Sequence, residues 1–214
     1  MVKNKRIQFL ASLLEGYDTV IDIGSDHGYV LREAFEQKFI KQAIASDLRS
    51  APLERAMITL QNYPVTFVQS DGFLAVKEPY QAAVISGMGA YLIADIMKYA
   101  PMLDALYILQ PNDKPAYLRE KMMDLGYQIV DEYVIHDRFY YVVILYRYGK
   151  EILSPEDIIL GPKLKDKKEA LTYYQRRIFI IDQIQHKAPS TTDKKLNEEL
   201  EILLKQTAKL KAKE

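Results

Sequence analysis

Short apolar segments with the length of buried strands alternate with helix-like segments in the first 125 residues, and this alternation restricts the fold more than any other feature. The strand-like segments span residues 19–23, 43–47, 65–68, 82–86 and 106–109, after a leading helix-like segment at 6–14. Strands that alternate with helices are joined by helical crossovers and lie parallel in one sheet. We therefore predict an α/β fold that begins with five βα units.

The next two extended segments break the alternation. Residues 127–135 and 139–148 are both strand-like, and the connector His136-Asp137-Arg138 is too short for a helix. Two strands joined in this way pair antiparallel. A six-stranded parallel dinucleotide-binding sheet does not end like this. We predict the Rossmann-like seven-stranded sheet of class I methyltransferases, whose last strand is inserted antiparallel.

Beyond Ser154-Pro155 the sequence becomes highly charged and contains two helical stripes of apolar residues. The stripes are Leu171, Tyr174, Ile178 and Ile181, and Leu196, Leu200, Leu203 and Leu210. The segment 188–193 between them holds a proline and helix-capping residues, which favours two helices that fold back as an antiparallel coiled-coil hairpin. We predict a Rossmann-like methyltransferase domain at residues 1–153 and a coiled-coil domain at residues 154–214.

The composition excludes several kinds of site. The chain has no cysteine, so disulfides, zinc thiolates and cysteine nucleophiles are excluded. The three histidines follow no metal-ligand spacing, and we expect no metal. No apolar run reaches the roughly 18 residues of a membrane span, and there is no signal-peptide core, so a cytoplasmic protein is expected. The 29 basic and 29 acidic residues balance, which gives no overall sign of nucleic-acid binding.

The first predicted strand runs into a turn with glycine at both ends, Gly24-Ser25-Asp26-His27-Gly28. Ligands of open α/β sheets bind at this edge, and glycine lets the backbone approach them. The spacing differs from that of dinucleotide-binding turns, and the Asp26 carboxylate would repel a pyrophosphate. A cofactor with a cationic amine and a sulfonium would not be repelled, which favours S-adenosylmethionine over NAD. The alternative is a tight turn with a helix-capping acid and no ligand.

Acidic residues also follow the second and third predicted strands. Asp47 is placed to accept the ribose hydroxyls of a nucleoside cofactor, and Asp71 to accept the adenine amine, with Phe73 covering the ring. Their alternatives are a helix cap and a turn pair. The predicted cofactor-binding residues are Asp22, Gly24, Asp26, Gly28, Asp47, Leu48, Asp71, Gly72, Ser86, Gly87, Met88 and Gly89.

The segments after the fourth and fifth strands are expected to face the methyl acceptor. Glycines at 87 and 89 open the backbone beside the transferable methyl group, and the Asn/Asp-Pro-Pro-Tyr/Phe motif of many amine methyltransferases is absent there. In the segment Gln110-Pro111-Asn112, the two amides could read the edge of a base. A strand-ending turn is the simpler alternative.

Together these motifs resemble the bacterial TrmK family of tRNA methyltransferases. The likeness rests on Asp22-Ile23-Gly24-Ser25-Asp26-His27 with Tyr29, Asp71-Gly72, Gly87-Met88-Gly89, Leu109-Gln110-Pro111-Asn112 and Leu160-Gly161-Pro162. The chain departs from the usual family pattern at Gly28-Tyr29-Val30-Leu31, Gly89-Ala90 and Ala51-Pro52. The resemblance implies S-adenosylmethionine as methyl donor, tRNA as acceptor, and transfer to N1 of adenine 22.

Adenine N1 carries a lone pair, so methyl transfer to it requires alignment and charge stabilisation rather than a base. The predicted catalytic residues are Asp26, His27, Tyr29 and Asn112. We expect Asp26 to accept the N6 amine or to hold the cofactor amine, and Tyr29 to stack on the base. His27 could instead be a turn histidine satisfied by backbone groups.

Docking of tRNA is expected to use shape and phosphate contacts. The predicted substrate-binding residues are Gln110, Pro111, Asn112, Arg6, Lys163, Lys165, Lys167 and Lys168, and further cations are Lys3, Lys5, Arg176 and Arg177. Each cation could simply be solvated. Three other functions remain open: methylation of another RNA base or a small molecule, NAD-dependent oxidation, and a non-catalytic scaffold. The sequence does not indicate any protein partner.

Overall fold

Seven strands form one sheet in the computed structural model, which describes residues 4–187 and 194–212. The strands are β1 (Thr19–Ile23), β2 (Gln42–Asp47), β3 (Val65–Gln69), β4 (Ala82–Met88), β5 (Leu106–Pro111), β6 (Tyr127–Asp137) and β7 (Phe139–Tyr148). Their order is β3-β2-β1-β4-β5-β7-β6, and β1 to β5 are parallel. Strand β7 lies antiparallel between β5 and β6, which confirms the predicted fold.

Helices cover both faces of the sheet. They are α1 (Lys5–Ser12), α2 (Tyr29–Glu36), α3 (Ser50–Leu60), α4 (Ala90–Met97), α5 (Pro115–Asp124), α6 (Pro155–Leu160), α7 (Ala170–Lys187) and α8 (Lys194–Lys211). Of the five predicted βα units, four have their helix. The unit at β3 is wrong, because residues 70–81 form turns from Asp71 onward and Gly72 has a φ of +55° that interrupts regular helix.

Alternate residues of the central strands enter two separate apolar cores, because successive side chains of a strand point to opposite faces. Val20, Val84 and Ile108 pack with the helices α1, α2 and α3. Their neighbours Ile21 and Ile85 pack on the other face, with α4, α5 and the C-terminal helices. Burial on both faces explains why these strands read as unbroken apolar segments rather than as alternating ones.

The hairpin of β6 and β7 is tighter than its sequence predicts. The strands pair up to Asp137 and Phe139, which leaves only Arg138 at the turn instead of the three residues expected. Arg138 takes a φ of +63°, a left-handed conformation that closes the turn. The hairpin tip therefore presents Arg138 and Phe139 directly, and both are exposed.

The two long C-terminal helices run antiparallel, as predicted. Gln185 near the end of α7 donates to Asn197 near the start of α8 at 2.7 Å, whereas Lys209 near the end of α8 lies 3.3 Å from Asp166, just before α7. The predicted turn at 188–193 lies outside the described residues. The helices also pack on the sheet, since Tyr174 and Leu203 belong to the same core as Ile85. The division at residue 154 stays a prediction.

A buried ion pair connects the sheet to the C-terminal segment. Arg119 of α5 and Glu132 of β6 are almost completely buried, and the Arg119 Nε donates to the Glu132 Oε1 at 2.6 Å. The Arg119 Nη1 donates to the carbonyl of Ile158 in α6 at 2.9 Å, and the Glu132 Oε2 accepts from the Lys163 backbone at 3.0 Å. Glycine is required at 161, where a Cβ would lie 2.5 Å from the Glu132 carboxylate.

We expect Glu132→Ala to lower the free energy of unfolding by about 3–5 kcal/mol, because it leaves the Arg119 guanidinium buried without its counter-charge. Urea denaturation followed by circular dichroism measures the change. Asp104→Ala is the matched control, because Asp104 pairs with Arg147 at an exposed position and should contribute about 1 kcal/mol or less. Equal losses in the two variants would contradict a central role for the buried pair.

Candidate active site

A cavity of about 360 Å³ opens where β1, β2 and β4 end, at the carboxyl edge of the sheet. Its lining includes most of the residues that the sequence marks for the cofactor and for catalysis. These are Asp22, Gly24, Asp26, His27, Gly28, Tyr29, Asp47, Ser86, Gly87 and Met88, and they are joined by Arg6, Ile7, Ser25, Val30 and Arg49. The structure therefore brings together residues from three strands and two turns at one place.

The turn after β1 is held against its neighbours by backbone contacts. The backbone amides of Gly24 and Ser25 both donate to the carbonyl of Ser46 in β2, at 2.7 and 3.0 Å. Gly24 has a φ of +77°, and a Cβ there would overlap the end of the Met88 side chain. Gly28, at a φ of +65°, faces Leu60, which lies 2.6 Å from the position of a Cβ. Both glycines take a left-handed backbone conformation that other residues rarely adopt, and at Gly28 the Leu60 side chain also fills the space of a Cβ.

Two carboxylates form the acidic floor of this cavity. Asp22 in β1 and Asp47 at the end of β2 are only 5% and 8% exposed. Burial, with a smaller contribution from the neighbouring charge of Asp47, raises the pKa of Asp22 to about 6. The Asp47 Oδ1 accepts from the Arg49 backbone at 2.9 Å. A buried carboxylate of this kind favours a cationic ligand group, which would stabilise its charged form.

Asp26 is exposed and is held by an ion pair that the sequence did not suggest. Its carboxylate accepts from the guanidinium of Arg55 in α3, and its other oxygen lies 3.5 Å from the His27 Nε2. The hydrogen bond from Arg55 keeps the pKa of Asp26 below its usual range. Arg55 stands 29 residues away in the chain and follows no motif, so the sequence carries no signal for this contact.

Tyr29 presents an open aromatic face at the mouth of the cavity. Its side chain is 47% exposed and stacks on His27 with ring centroids 5.1 Å apart and an interplanar angle of 7°. The Arg32 guanidinium lies 5.7 Å from the centroid of the Tyr29 ring. His27 therefore contacts Tyr29 through its ring and Asp26 through its Nε2. The stacked rings of His27 and Tyr29 form a flat surface, the Tyr29 platform.

The two amides after β5 are used to fix the wall of the cavity. Gln110 is fully buried, and its Oε1 accepts from the Arg6 Nη1 at 2.7 Å. The Asn112 Nδ2 donates to the carbonyl of Gly87 at 2.6 Å, where a bulge shifts the register of β4. In this structure the amides bind protein groups rather than presenting a free base-reading edge. Arg6, which also lies 5.2 Å from the Tyr141 ring centroid, is placed at the cavity instead of on an outer surface.

Several predicted residues lie outside the cavity lining. They are Leu48, Asp71, Gly72, Gly89, Gln110, Pro111 and Asn112. Phe73, expected to cover an adenine ring, is instead 4% exposed and packs against Tyr80 and Tyr107 in the core. The turn that replaces a helix after β3 directs Phe73 inward, which the Asp-Gly pair alone does not reveal.

The predicted lysine cluster is partly neutralised within the protein. Lys165 lies 2.7 Å from Asp157, and Lys167 lies 2.6 Å from Asp131 and 4.1 Å from the Tyr133 ring centroid. Lys163 and Lys168 are exposed. Lys3 lies outside the described residues.

The part of the chain that the structure describes contains neither a metal-binding cluster nor a membrane-spanning helix. In 4–187 and 194–212, no group of three or more His, Cys, Asp or Glu side chains is arranged to hold a metal ion. In the same ranges, no helix is both long enough and apolar enough to cross a membrane.

A seven-stranded sheet of this order, with an acidic cavity at the ends of β1 and β2, defines a Rossmann-like S-adenosylmethionine-dependent methyltransferase. The chain belongs to the TrmK family, described as tRNA (adenine(22)-N(1))-methyltransferase, whose family model matches residues 20–211. This confirms the predicted family, enzyme class, methyl donor and reaction. The NAD-dependent and scaffold alternatives are excluded by the family.

Individual relatives agree with this assignment. The tRNA (adenine(22)-N(1))-methyltransferase of Bacillus subtilis is 29% identical over 185 residues, which cover 78% of this chain and 77% of that protein. The crystal structure of the B. subtilis m1A22 tRNA methyltransferase TrmK has a TM-score of 0.78 at 25% identity and covers 99% of both chains. M. capricolum TrmK in complex with S-adenosyl-homocysteine has a TM-score of 0.82 at 22% identity, with 97% and 99% of the two chains covered, and supports the fold.

We expect Asp22→Asn to stabilise the ligand-free protein while weakening its affinity for S-adenosylmethionine. The pKa of Asp22 is raised in the folded state to about 6, so the folded protein holds this proton more tightly than the unfolded chain. The stability that this provides is present below about pH 4 and is lost as the pH rises through about 6, at a cost of about 2–3 kcal/mol.

Thermal unfolding at pH 4 and pH 7 tests this sign. The gain from Asp22→Asn should be largest at pH 7 and should vanish towards pH 4, and calorimetry should show weaker cofactor binding at pH 7. Asp18→Asn, at an exposed position just before β1, should change neither quantity. A variant that loses stability at pH 7, or that binds the cofactor as well as wild type, would contradict the role of Asp22.

Proposed function

We propose that the 360 Å³ cavity holds S-adenosylmethionine and that adenine 22 of tRNA enters at its mouth, between the Tyr29 platform and the bulge at Gly87. The observation that carries this proposal is the pair of buried carboxylates, Asp22 and Asp47. They line the cavity together with the turn after β1, which adds the polar and aromatic side chains of Asp26, His27 and Tyr29. Three other cavities of the described residues have a single acidic residue each in their linings, whereas this one has Asp22, Asp26 and Asp47.

The residues present fit this cofactor. Asp22 would receive the cationic amino group, which would compensate for the burial of the carboxylate. The first turn of α2, which begins at Tyr29 after Gly28, directs backbone amides to the same cavity and would receive the carboxylate group. Asp47 would accept the ribose hydroxyls, and Asp71 with Gly72 would lie at the adenine end. When bound, S-adenosylmethionine supplies an electrophilic methyl group on a positively charged sulfur.

The acceptor needs orientation more than activation. N1 lies on the Watson–Crick edge of adenine, so the base must leave its pair and enter the cavity mouth. The exposed ring of Tyr29, braced by His27 and Arg32, would take the flat face of the base. Asn112 would act indirectly, because its amide fixes the Gly87 carbonyl at the edge of the mouth.

Asp26 would stabilise the charge that develops on the base. Methylation at N1 makes the adenine ring cationic and its N6 amine a stronger hydrogen-bond donor. The Asp26 carboxylate, which Arg55 keeps ionised, would accept the N6 hydrogen and oppose this charge. Arg55 would thereby set the position of Asp26, whose carboxyl group is ionised at neutral pH.

The C-terminal segment would contact the body of the tRNA. Within the part of the chain that the structure describes, Lys163 and Lys168 are the members of the predicted lysine cluster that form no ion pair, and both side chains are exposed. Such cations bind phosphates without reading sequence. With tRNA as its substrate, the enzyme would work in the cytoplasm.

We expect Asp26→Asn to lower kcat for tRNA methylation by about 100-fold or more, because a neutral amide cannot oppose the charge on the methylated ring. Transfer of labelled methyl groups to a tRNA transcript with adenine at position 22, followed by nucleoside mapping, measures the rate and the product. The control is Asp95→Asn, because Asp95 is also an exposed acid in an ion pair and should leave kcat unchanged.

Two results would count against this proposal. Near-wild-type kcat in Asp26→Asn would remove Asp26 from the reaction. If the wild-type enzyme left adenine 22 unmodified, the proposed substrate itself would be wrong.

We expect the double variant Lys163→Ala and Lys168→Ala to raise the KM for tRNA several-fold while leaving the affinity for S-adenosylmethionine unchanged, because it removes two phosphate contacts. Steady-state kinetics and calorimetry measure these quantities. A matched change of Lys38 and Lys41, two exposed lysines before β2, should leave the KM unchanged. A loss of cofactor affinity in the Lys163 and Lys168 variant would contradict the assignment.

A further inference from the structure

A second and larger cavity, of about 830 Å³, lies between the tip of the β6–β7 hairpin and α7. Arg138 and Phe139 form its hairpin side, and Tyr173 and Arg176 form its helix side. None of the residues that bind the cofactor in the proposal above lines this cavity. Cofactor binding therefore does not account for the aromatic and basic residues of this cavity.

The walls offer aromatic surface that the protein core does not use. Phe139 is 69% exposed at the hairpin tip, although contact of its apolar ring with water is unfavourable. His136 and Tyr140, on the two strands beside it, are stacked with ring centroids 4.5 Å apart. Exposed aromatic rings beside cations are the arrangement by which proteins bind single-stranded nucleic acids.

The charges of the walls favour an anion. Four lining residues are basic and one, Asp113, is acidic. The Asp113 carboxylate already has a hydrogen-bond partner, since its Oδ1 accepts from the Ala90 backbone amide at 3.0 Å. Arg177 is neutralised by Glu199, and the Lys114 Nζ lies 4.2 Å from the Tyr91 ring centroid. Arg138 and Arg176 are exposed and line the cavity on its two sides, and the Arg176 guanidinium lies 5.2 Å from the Phe179 ring centroid.

This cavity shares a wall with the cofactor cavity. Asn112 lines the larger cavity, and its amide donates to the carbonyl of Gly87, which lines the smaller one. Tyr141 of the larger cavity lies 5.2 Å from the guanidinium of Arg6 in the smaller one. An RNA strand with one base at the Gly87 bulge would therefore pass close to the larger cavity.

We propose that the larger cavity binds the unpaired ribonucleotide next to the target adenine. Its base stacks on Phe139, and its phosphate is bound by Arg138 and Arg176. This proposal rests on the proposed function, because it takes the target adenine to lie at the smaller cavity. Stacking on Phe139 would hold the RNA strand open after the target base has left its pair.

A tryptophan at the hairpin tip tests the stacking directly. The chain contains no tryptophan, so Phe139→Trp provides a single fluorescent reporter. We expect a tRNA transcript with adenine at position 22 to quench this fluorescence, with saturation at the Kd of the complex. The control is Tyr148→Trp, a half-exposed site at the other end of β7, roughly 30 Å along the strand, which should not be quenched.

The salt dependence of tRNA binding tests the two arginines. Each of Arg138→Ala and Arg176→Ala should weaken tRNA binding and reduce the slope of log Kd against log salt by about one. Cofactor affinity should stay at the wild-type value in both. Lys41→Ala, which removes an exposed cation paired with Asp18 just before β2, on the side of the sheet away from the β6–β7 hairpin, should leave the slope unchanged.

The outcomes separate this inference from the proposed function. If wild type methylates adenine 22 but Phe139→Trp is not quenched and the arginine variants keep the wild-type slope, only the larger cavity is misassigned. If wild type leaves adenine 22 unmodified, the proposed function fails and this inference fails with it. Quenching together with both reduced slopes, in an enzyme that methylates adenine 22, supports the assignment.

Discussion

The buried pair of Arg119 and Glu132 is the interaction on which the arrangement of the molecule depends. It joins α5 and β6 to the carbonyl end of α6 and to the backbone at Lys163, and so it connects the sheet to the start of the C-terminal segment. Gly161 has its explanation here, because a side chain at this position would enter the space of both partners. The apolar contacts of Tyr174 and Leu203 then hold α7 and α8 on the same face of the sheet.

In the described part of the chain, the proposed active site buries charges that have no opposite charge beside them. Arg119 and Glu132 compensate each other within the protein, whereas Asp22 and Asp47 are two like charges buried side by side at the end of the sheet. Burial of these two like charges lowers the stability of the ligand-free protein, and a cationic ligand bound beside them would remove that cost.

Much of the fold could be predicted, because it depends on local patterns. Apolar segments gave the seven strands, and the short connector at residues 136–138 gave the antiparallel last strand. The Gly-Ser-Asp-His-Gly turn placed the cavity correctly, since ligand sites of such sheets lie at strand ends. The partners of its residues could not be predicted. Arg55 reaches Asp26 across 29 residues and Arg6 reaches Gln110 across 104, and neither contact leaves a periodic or motif-like trace.

The link from Arg6 to Gln110 and Tyr141 also has a consequence for biosynthesis. Arg6 leaves the ribosome before its two partners, which emerge more than a hundred residues later. Because chains are made from the amino end, the β1 turn and the β2 carboxylate are synthesised while Arg6 still lacks both partners. Arg6, which lines the 360 Å³ cavity, therefore gains its last contact only when β7 inserts between β5 and β6, the same step that finishes the sheet.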